Sequence, residues 1–165
     1  MKLDSLEMLF KDELADLYDA ENQLIKTLPK LADAAHAPEL KHAFKDHLRE
    51  TQNHAQRIEQ IWESLGDGSV KSQSCKGMQG LIKEGGERLK ARGDASVIDA
   101  GIIGAAQRVE HYEIAGYGCA RTYAELLGMS EAARLLEETI SEEKAADKKL
   151  NELALTLVNQ EAARA

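Results

Sequence analysis

Residues 10–35, FKDELADLYDAENQLIKTLPKLADAA, set an apolar side chain at every third or fourth position: Phe10, Leu14, Leu17, Leu24, Leu28, Leu31 and Ala35. The one exception in that series is Glu21. A period near 3.6 marks a helix that buries one face, and a carboxylate on such a face is costly to take out of water. Three further stretches repeat the anomaly. One reads Ile102, Ala106, Val109, Glu113, Tyr117, Ala120, Ala124, Leu127, and another Leu136, Ile140, Glu143, Asp147, Leu150, Ala154, Leu157. The last reads Leu40, Phe44, His47, Thr51, His54, Ile58, Ile61, Leu65, with Glu50 one step from the stripe. A single glutamate on a helix is ordinarily solvated. Four core-facing stripes with acids or histidines at their centres point instead to a cation that neutralises them.

The boundaries of these helices follow from local signals. Asp4 followed by Glu7 reads as a capping box, starting the first helix near residue 5. It runs to about Ala35 and carries Pro29, which must remove one backbone hydrogen bond. Pro38 suits the first position of a second helix that ends at Leu65, before Gly66-Asp67-Gly68-Ser69. Residues 70–76 read as irregular, and 77–91, GMQGLIKEGGERLKA, as a short helix weakened by glycine. Asp94 is expected to cap a helix over 95–127, and Ser130 one that continues to about Asn159. The spacing therefore predicts an all-α chain of one domain, residues 1–165, in which two helical hairpins are joined by a long crossover containing a short extra helix. A four-helix bundle with one long crossover is the ferritin-like topology.

Composition excludes several classes. With 21 basic and 29 acidic residues the net charge is −8, which argues against nucleic acid, since phosphate binding needs a basic face. No apolar run approaches membrane-spanning length. The opening MKLDSLEMLFKDEL reads as an amphipathic helix rather than a secretory leader. Cys75 and Cys119 form no metal or disulfide motif. These features lead to the expectation of a cytoplasmic protein with reduced thiols and no membrane or nucleic-acid partner.

The acidic positions are paired between the hairpins. Glu21 precedes Glu50 by 29 residues and Glu113 precedes Glu143 by 30, while His54 follows Glu50 and Asp147 follows Glu143 at the same i+4 offset. Residues three or four apart share a helical face, so each helix can direct its set toward one point. The candidate ligands are Glu21, Glu50, His54, Glu110, Glu113, Glu143 and Asp147. Glu110 lies at the stripe margin, where pairing with Arg108 or Lys144 is the alternative. His54 is favoured over His47 as the imidazole ligand, with His47 supporting the ligands or taking its place, and Glu138, Glu142, His36 and His42 are expected to lie on the surface, with His111 outside the ligand set. Tyr18 and Tyr117 sit one turn from Glu21 and Glu113, placed either to hydrogen-bond a liganding carboxylate or simply to pack. A donor set this rich in oxygen suits iron or manganese, here as a dinuclear site.

Four segments together, LYDAENQL, HLRET, AAQRVEHYEIAGYG and EEKAADKKL, resemble the YciF family of ferritin-like bacterial stress proteins, and the resemblance covers nearly the whole chain. It implies a small ferritin-like bundle, often dimeric, linked to bacterial stress responses. The family's metal-site glutamates map onto Glu21, Glu50, Glu110, Glu113 and Glu143. Glu110-x-x-Glu113 also resembles the rubrerythrin arrangement, but Asn53 and Ala146 stand where rubrerythrins carry histidine.

Two functions are thus open. One is a dimetal protein that handles peroxide, oxygen or ferrous ion; the other is a non-catalytic structural or interaction protein whose metal site is vestigial or only stabilising. Apolar residues off the stripes, Leu9, Ile25, Leu48, Ile103, Ile114, Leu126, Leu135 and Leu155, suggest a second contact face. A symmetric homodimer is expected to cover it, with each metal site inside one subunit.

Overall fold

The structure is a computed structural model that describes residues 3–71 and 73–165. Met1 and Lys2 of the leader reading, and Ser72 of the irregular crossover, lie outside the described residues. Five main helices follow in chain order: α1 (Leu6–Ala34), α2 (Pro38–Ser64), α3 (Lys76–Leu89), α4 (Ala95–Leu126) and α5 (Ser130–Leu153). No strand occurs among the described residues.

The ends of these helices partly follow the local chemistry. Asp94 caps α4, accepting from the amides of Ser96 and Val97. At α1 the cap is Ser5 rather than Asp4: Ser5 has extended backbone and its hydroxyl accepts from the Met8 amide at 3.1 Å. Ser130 is the first residue of α5 rather than its cap, and Met129 before it offers no side-chain bond. Helix α5 is regular only to Leu153, beyond which Ala154–Val158 widens into a π-helical segment. Pro38 occupies the start of α2, where the cap position supplies no side chain. Asp99 of α4 serves instead. Buried in the core, it accepts from the amides of His36 at 2.9 Å and Ala37 at 2.7 Å, tying the α1–α2 turn to the other hairpin.

Helix α1 packs on α2 and α4 on α5, while α2 meets α5 and α1 meets α4, closing a four-helix ring. The crossover carries α3 against α4 and α1. This is the ferritin-like bundle that the stripe pattern predicts.

Its apolar core comes in two pieces. One contains Phe10, Leu14, Leu17, Ile58, Trp62, Tyr117 and Ile140, and the other Leu24, Leu28, Phe44, Met78, Ile102, Val109 and Leu150. On every helix of the ring the polar position falls between the two: Glu21 on α1, His47 to His54 on α2, Glu110 and Glu113 on α4, Glu143 on α5. Of the apolar residues off the stripes, Ile103 and Leu135 are buried in these cores, whereas Leu126 and Leu155 are exposed.

Candidate metal centre

The polar belt contains Glu21, His47, His54, Glu110, Glu113 and Glu143, all buried in the middle of the bundle. Their atoms form two overlapping groups. His47, Glu110, Glu113 and Glu143 each offer a donor atom within 4.8 Å of the others, as do Glu21, His54 and Glu143. Glu143 belongs to both. Its Oε1 lies 2.8 Å from Nδ1 of His54, and its Oε2 lies 3.8 Å from Nε2 of His47. The same histidine nitrogens face Glu21 Oε1 at 3.5 Å and Glu110 Oε2 at 3.4 Å respectively. The two imidazoles, with ring centroids 6.4 Å apart, thus flank one carboxylate.

Proximity here does not mean hydrogen bonding. Ten buried side-chain nitrogens and oxygens among the described residues have no hydrogen-bond partner, and eight of them belong to these six residues. They include both oxygens of Glu113, both of Glu143 and Nδ1 of His54. Leaving one such atom unsatisfied costs about 1–3 kcal/mol, so eight in one place call for a ligand. Nδ1 of His54 and Oε1 of Glu143 lie within bonding distance yet are not aligned for a bond, as donors directed at a shared cation would be.

The ionisation states follow from burial and crowding. Burial pushes the carboxyls of Glu113 and Glu110 well above the ordinary range, and the charges of Glu21 and Glu143 reinforce it. Glu21 is raised by burial, against the pull of His54. Burial disfavours the charged form of His54, but the hydrogen bond to Glu142 and the close carboxylates of Glu143 and Glu21 outweigh it and lift the imidazole to about 12. Glu143, also opposed by burial, is held down to about 2 by His54 and His47. Without metal, the belt therefore keeps protons on Glu110, Glu113 and His54. A cation would take over the neutralising role.

Around this belt the supporting bonds are specific. Tyr117, one turn after Glu113, donates its hydroxyl to Glu21. Tyr18 instead donates to Glu59, away from the belt. Nε2 of His54 faces Glu142 Oε2 at 2.8 Å. Arg57 clamps the same carboxylate with two bonds of 2.6 and 2.8 Å, and together they hold it down to about 2. An ionised carboxylate only accepts, so Nε2 must carry the proton. That leaves Nδ1 as the atom turned into the belt.

Five of the seven sequence-derived ligands thus meet: Glu21, His54, Glu110, Glu113 and Glu143. Glu50 and Asp147 do not join them. Glu50 is half exposed and lies against the outer nitrogen of His47, Nδ1, at 3.3 Å. Asp147 reaches sideways to α4, where it accepts from Gln107 at 3.1 Å and lies near the exposed His111. Both histidines enter the belt, where the sequence favours His54 and leaves His47 as its alternative or support. The position of His47 on the α2 stripe, where Glu50 is off it, is the signal that distinguishes those two. Glu142, expected at the surface, is the carboxylate that fixes His54; nothing in a single sequence marks it. Among the cysteines, Cys119 is exposed and Cys75 is buried, its sulfur accepting from the Met78 amide at the start of α3 and touching the Tyr112 hydroxyl at 3.0 Å.

Fold and belt define a ferritin-like helical bundle with a carboxylate- and imidazole-lined centre. The chain belongs to the family described as domain of unknown function DUF892, which matches residues 5–163. It is 46% identical over 162 residues to Protein YciF of Escherichia coli strain K12, a match covering 98% of each chain. The solved structure of the Escherichia coli stress protein YciF superposes with a TM-score of 0.91 at 46% identity, covering 95% of this chain and 99% of that one. YcfI of Rhodopseudomonas palustris, described as a candidate structural protein, gives 0.87 at 40% identity over 91% of this chain and 95% of its own. A Xanthomonas campestris protein gives 0.75 at 22% identity over 96% and 97%, and that likeness concerns the fold alone.

Proposed function

We propose that this chain is a stress-response protein whose bundle holds two iron or manganese ions and uses them on peroxide, oxygen or ferrous ion. The observation that carries the reading is the pair of overlapping donor groups that share Glu143, with their unpartnered buried atoms. The residues fit such ions, because a set of four carboxylates and two imidazoles is hard and borderline in character and includes no thiolate. Glu143 would be shared by both ions, His47 with Glu110 and Glu113 would complete one site, and His54 with Glu21 the other. When bound, the metals would supply paired one-electron redox steps or joint polarisation of an oxygen substrate. The protein's own part is to orient and to exclude water. Glu142 and Arg57 fix the His54 imidazole, Tyr117 fixes Glu21, and the two apolar cores seal the belt at either end. A cavity of about 230 Å³ between α2 and α5, lined by His47, Glu50, Glu110 and Lys149, gives access from outside.

Metal analysis of protein purified without chelator tests this. The expected content exceeds one ion per chain and falls sharply in Glu113→Ala; a content well below one, unchanged by the substitution, would end the proposal. The stress role is carried over from the description of the Escherichia coli relative.

A second reading draws on the structural description of the Rhodopseudomonas palustris protein and on Asn53 and Ala146, which stand where a rubrerythrin-type site has histidine. In it the metal only stabilises the bundle. A ferrous oxidation assay separates the two: saturable turnover lost in Glu21→Ala supports the first, and metal-dependent melting without turnover the second. We further propose a cytoplasmic homodimer with each centre inside one subunit, consistent with exposed Leu126 and Leu155 and with the absence of any described helix able to cross a membrane. Light scattering that finds only monomer would refute the dimer.

A further inference from the structure

A cavity of about 170 Å³ lies where α1, α3 and α4 meet. Its walls are chiefly aliphatic, with Leu28, Leu81, Ile82 and Val109 among them, and its inner end is formed by His47 and Glu110. Half-buried Thr27 and exposed Lys30 also line it, so His47 and Glu110 are its buried polar pair. Both are more than nine-tenths buried, and Nε2 of His47 and Oε2 of Glu110 have no hydrogen-bond partner. An aliphatic cavity of around 150 Å³ stays dry and accepts a benzene-sized guest, so this one has room for a small ring plus a substituent. The wall is also unusually bare on the α3 side. Gly85 and Gly86 line it, and a Cβ placed on Gly86 would meet nothing within 4 Å. Paired glycines within a helix weaken it, and here they preserve space beside the cavity.

We propose that this cavity binds a small uncharged organic molecule with a benzene-sized apolar body and one hydroxyl group. The body lies among the aliphatic side chains, and the hydroxyl meets Nε2 of His47 and Oε2 of Glu110. A charge placed at the buried end, among the aliphatic side chains and away from Lys30, is disfavoured. A hydroxyl is favoured because it both donates and accepts, and so can satisfy a carboxyl and an imidazole in either protonation state. This site goes beyond the metal reading but shares His47 and Glu110 with it, so a guest and a metal ion would compete for those two residues.

Phenol and toluene, matched in size and shape, make the test. Each is titrated into the chelator-treated full-length chain with labelled leucine, isoleucine and valine methyls, followed by NMR. Phenol is expected to give saturable shifts at Leu28, Leu81, Ile82 and Val109 and to bind at least as tightly as toluene. A cavity without polar partners would favour toluene by on the order of tenfold, because burying an unpaired hydroxyl is costly. Ala105→Leu, on the wall, should abolish the shifts while thermal melting shows an intact fold; Ala106→Leu serves if that variant unfolds. Absence of saturable shifts, shifts remote from this cavity, a tenfold preference for toluene, or undiminished binding in the filled variant would each overturn the proposal. Because metal is removed throughout, the outcome is separate from whether the belt binds iron or manganese.

Discussion

His54 illustrates how a single side chain is set. It lies within 3.5 Å of three carboxylates, Glu21, Glu142 and Glu143, and only Glu142 is partly open to solvent. With Arg57 on its far side, Glu142 stays ionised, so Nε2 of His54 keeps its proton and Nδ1 faces inward. Glu142→Gln keeps the shape but removes the charge. In metal-free protein the Glu142 carboxyl titrates near 2 when folded and near the ordinary 4.5 when unfolded. A depressed carboxyl contributes stability above the unfolded value and loses it as pH falls through the folded one. The substitution should therefore cost about 1–2 kcal/mol at neutral pH, a figure discounted for the exposed third of the side chain. Urea unfolding of the two proteins should converge as pH drops from about 4.5 toward 2; parallel curves across that range would contradict the role given to Glu142. This scale is also where sequence reading met its limit. Period 3.6 locates His47 and His54 on one face of α2, yet motif spacing favours Glu50, which lies at the edge of that face and points outward, half exposed. Glu110 looked marginal by the same count. It is buried because α4 touches α1, α3 and α5 and so hides a wider face than a single stripe. Glu142 was invisible because its partners lie on another helix, 85 and 88 residues away.

Helices were more legible than side-chain partners, since propensity and periodicity act locally and caps only partly so. Asp94 and Pro38 act where the sequence places them, whereas Ser5 displaces Asp4 because the extended backbone falls one residue later. The α1–α2 turn carries no local signal of its capping group, because Asp99 arrives from a different hairpin. Helix α3 shows how far glycine content alone can mislead. A Cβ at Gly86 or Gly80 would meet nothing within 4 Å, but at Gly77 it would lie 2.7 Å from the Tyr112 ring. Gly86→Ala should therefore stabilise by about 0.5–1 kcal/mol through helix propensity and a less flexible unfolded chain. Gly77→Ala should destabilise, because Tyr112 is itself held by Asp16 at 2.9 Å and by Cys75. Thermal melts of the two variants should move in opposite directions. A common shift would mean that α3 does not pack on Tyr112 as described.

Across the whole molecule the polar belt divides what would otherwise be one continuous core, and stability and the proposed metal binding meet there in opposition. Glu113 is fully buried with both oxygens unpartnered, so the metal-free chain carries its cost without compensation. Glu113→Leu should stabilise the chelated protein by about 1–3 kcal/mol, or roughly 2–4 °C in Tm for each kcal/mol in a chain of this size. The same change should erase any rise in Tm on adding iron or manganese, an exchange of stability for function. The pH dependence carries the same sign. Glu110 and Glu113 have folded values well above 4.5, so their neutral forms favour folding below that value. That contribution fades as pH rises through their folded values, and the metal-free protein should weaken on going from acid toward neutral pH. A cation binds the deprotonated forms, so metal affinity should rise over the same interval and binding should release protons. Calorimetry in buffers of different ionisation heat measures that release. Metal binding with no proton release, or a Glu113→Leu protein less stable than the chelated parent, would show that the belt is not held together by protons in the way its geometry requires.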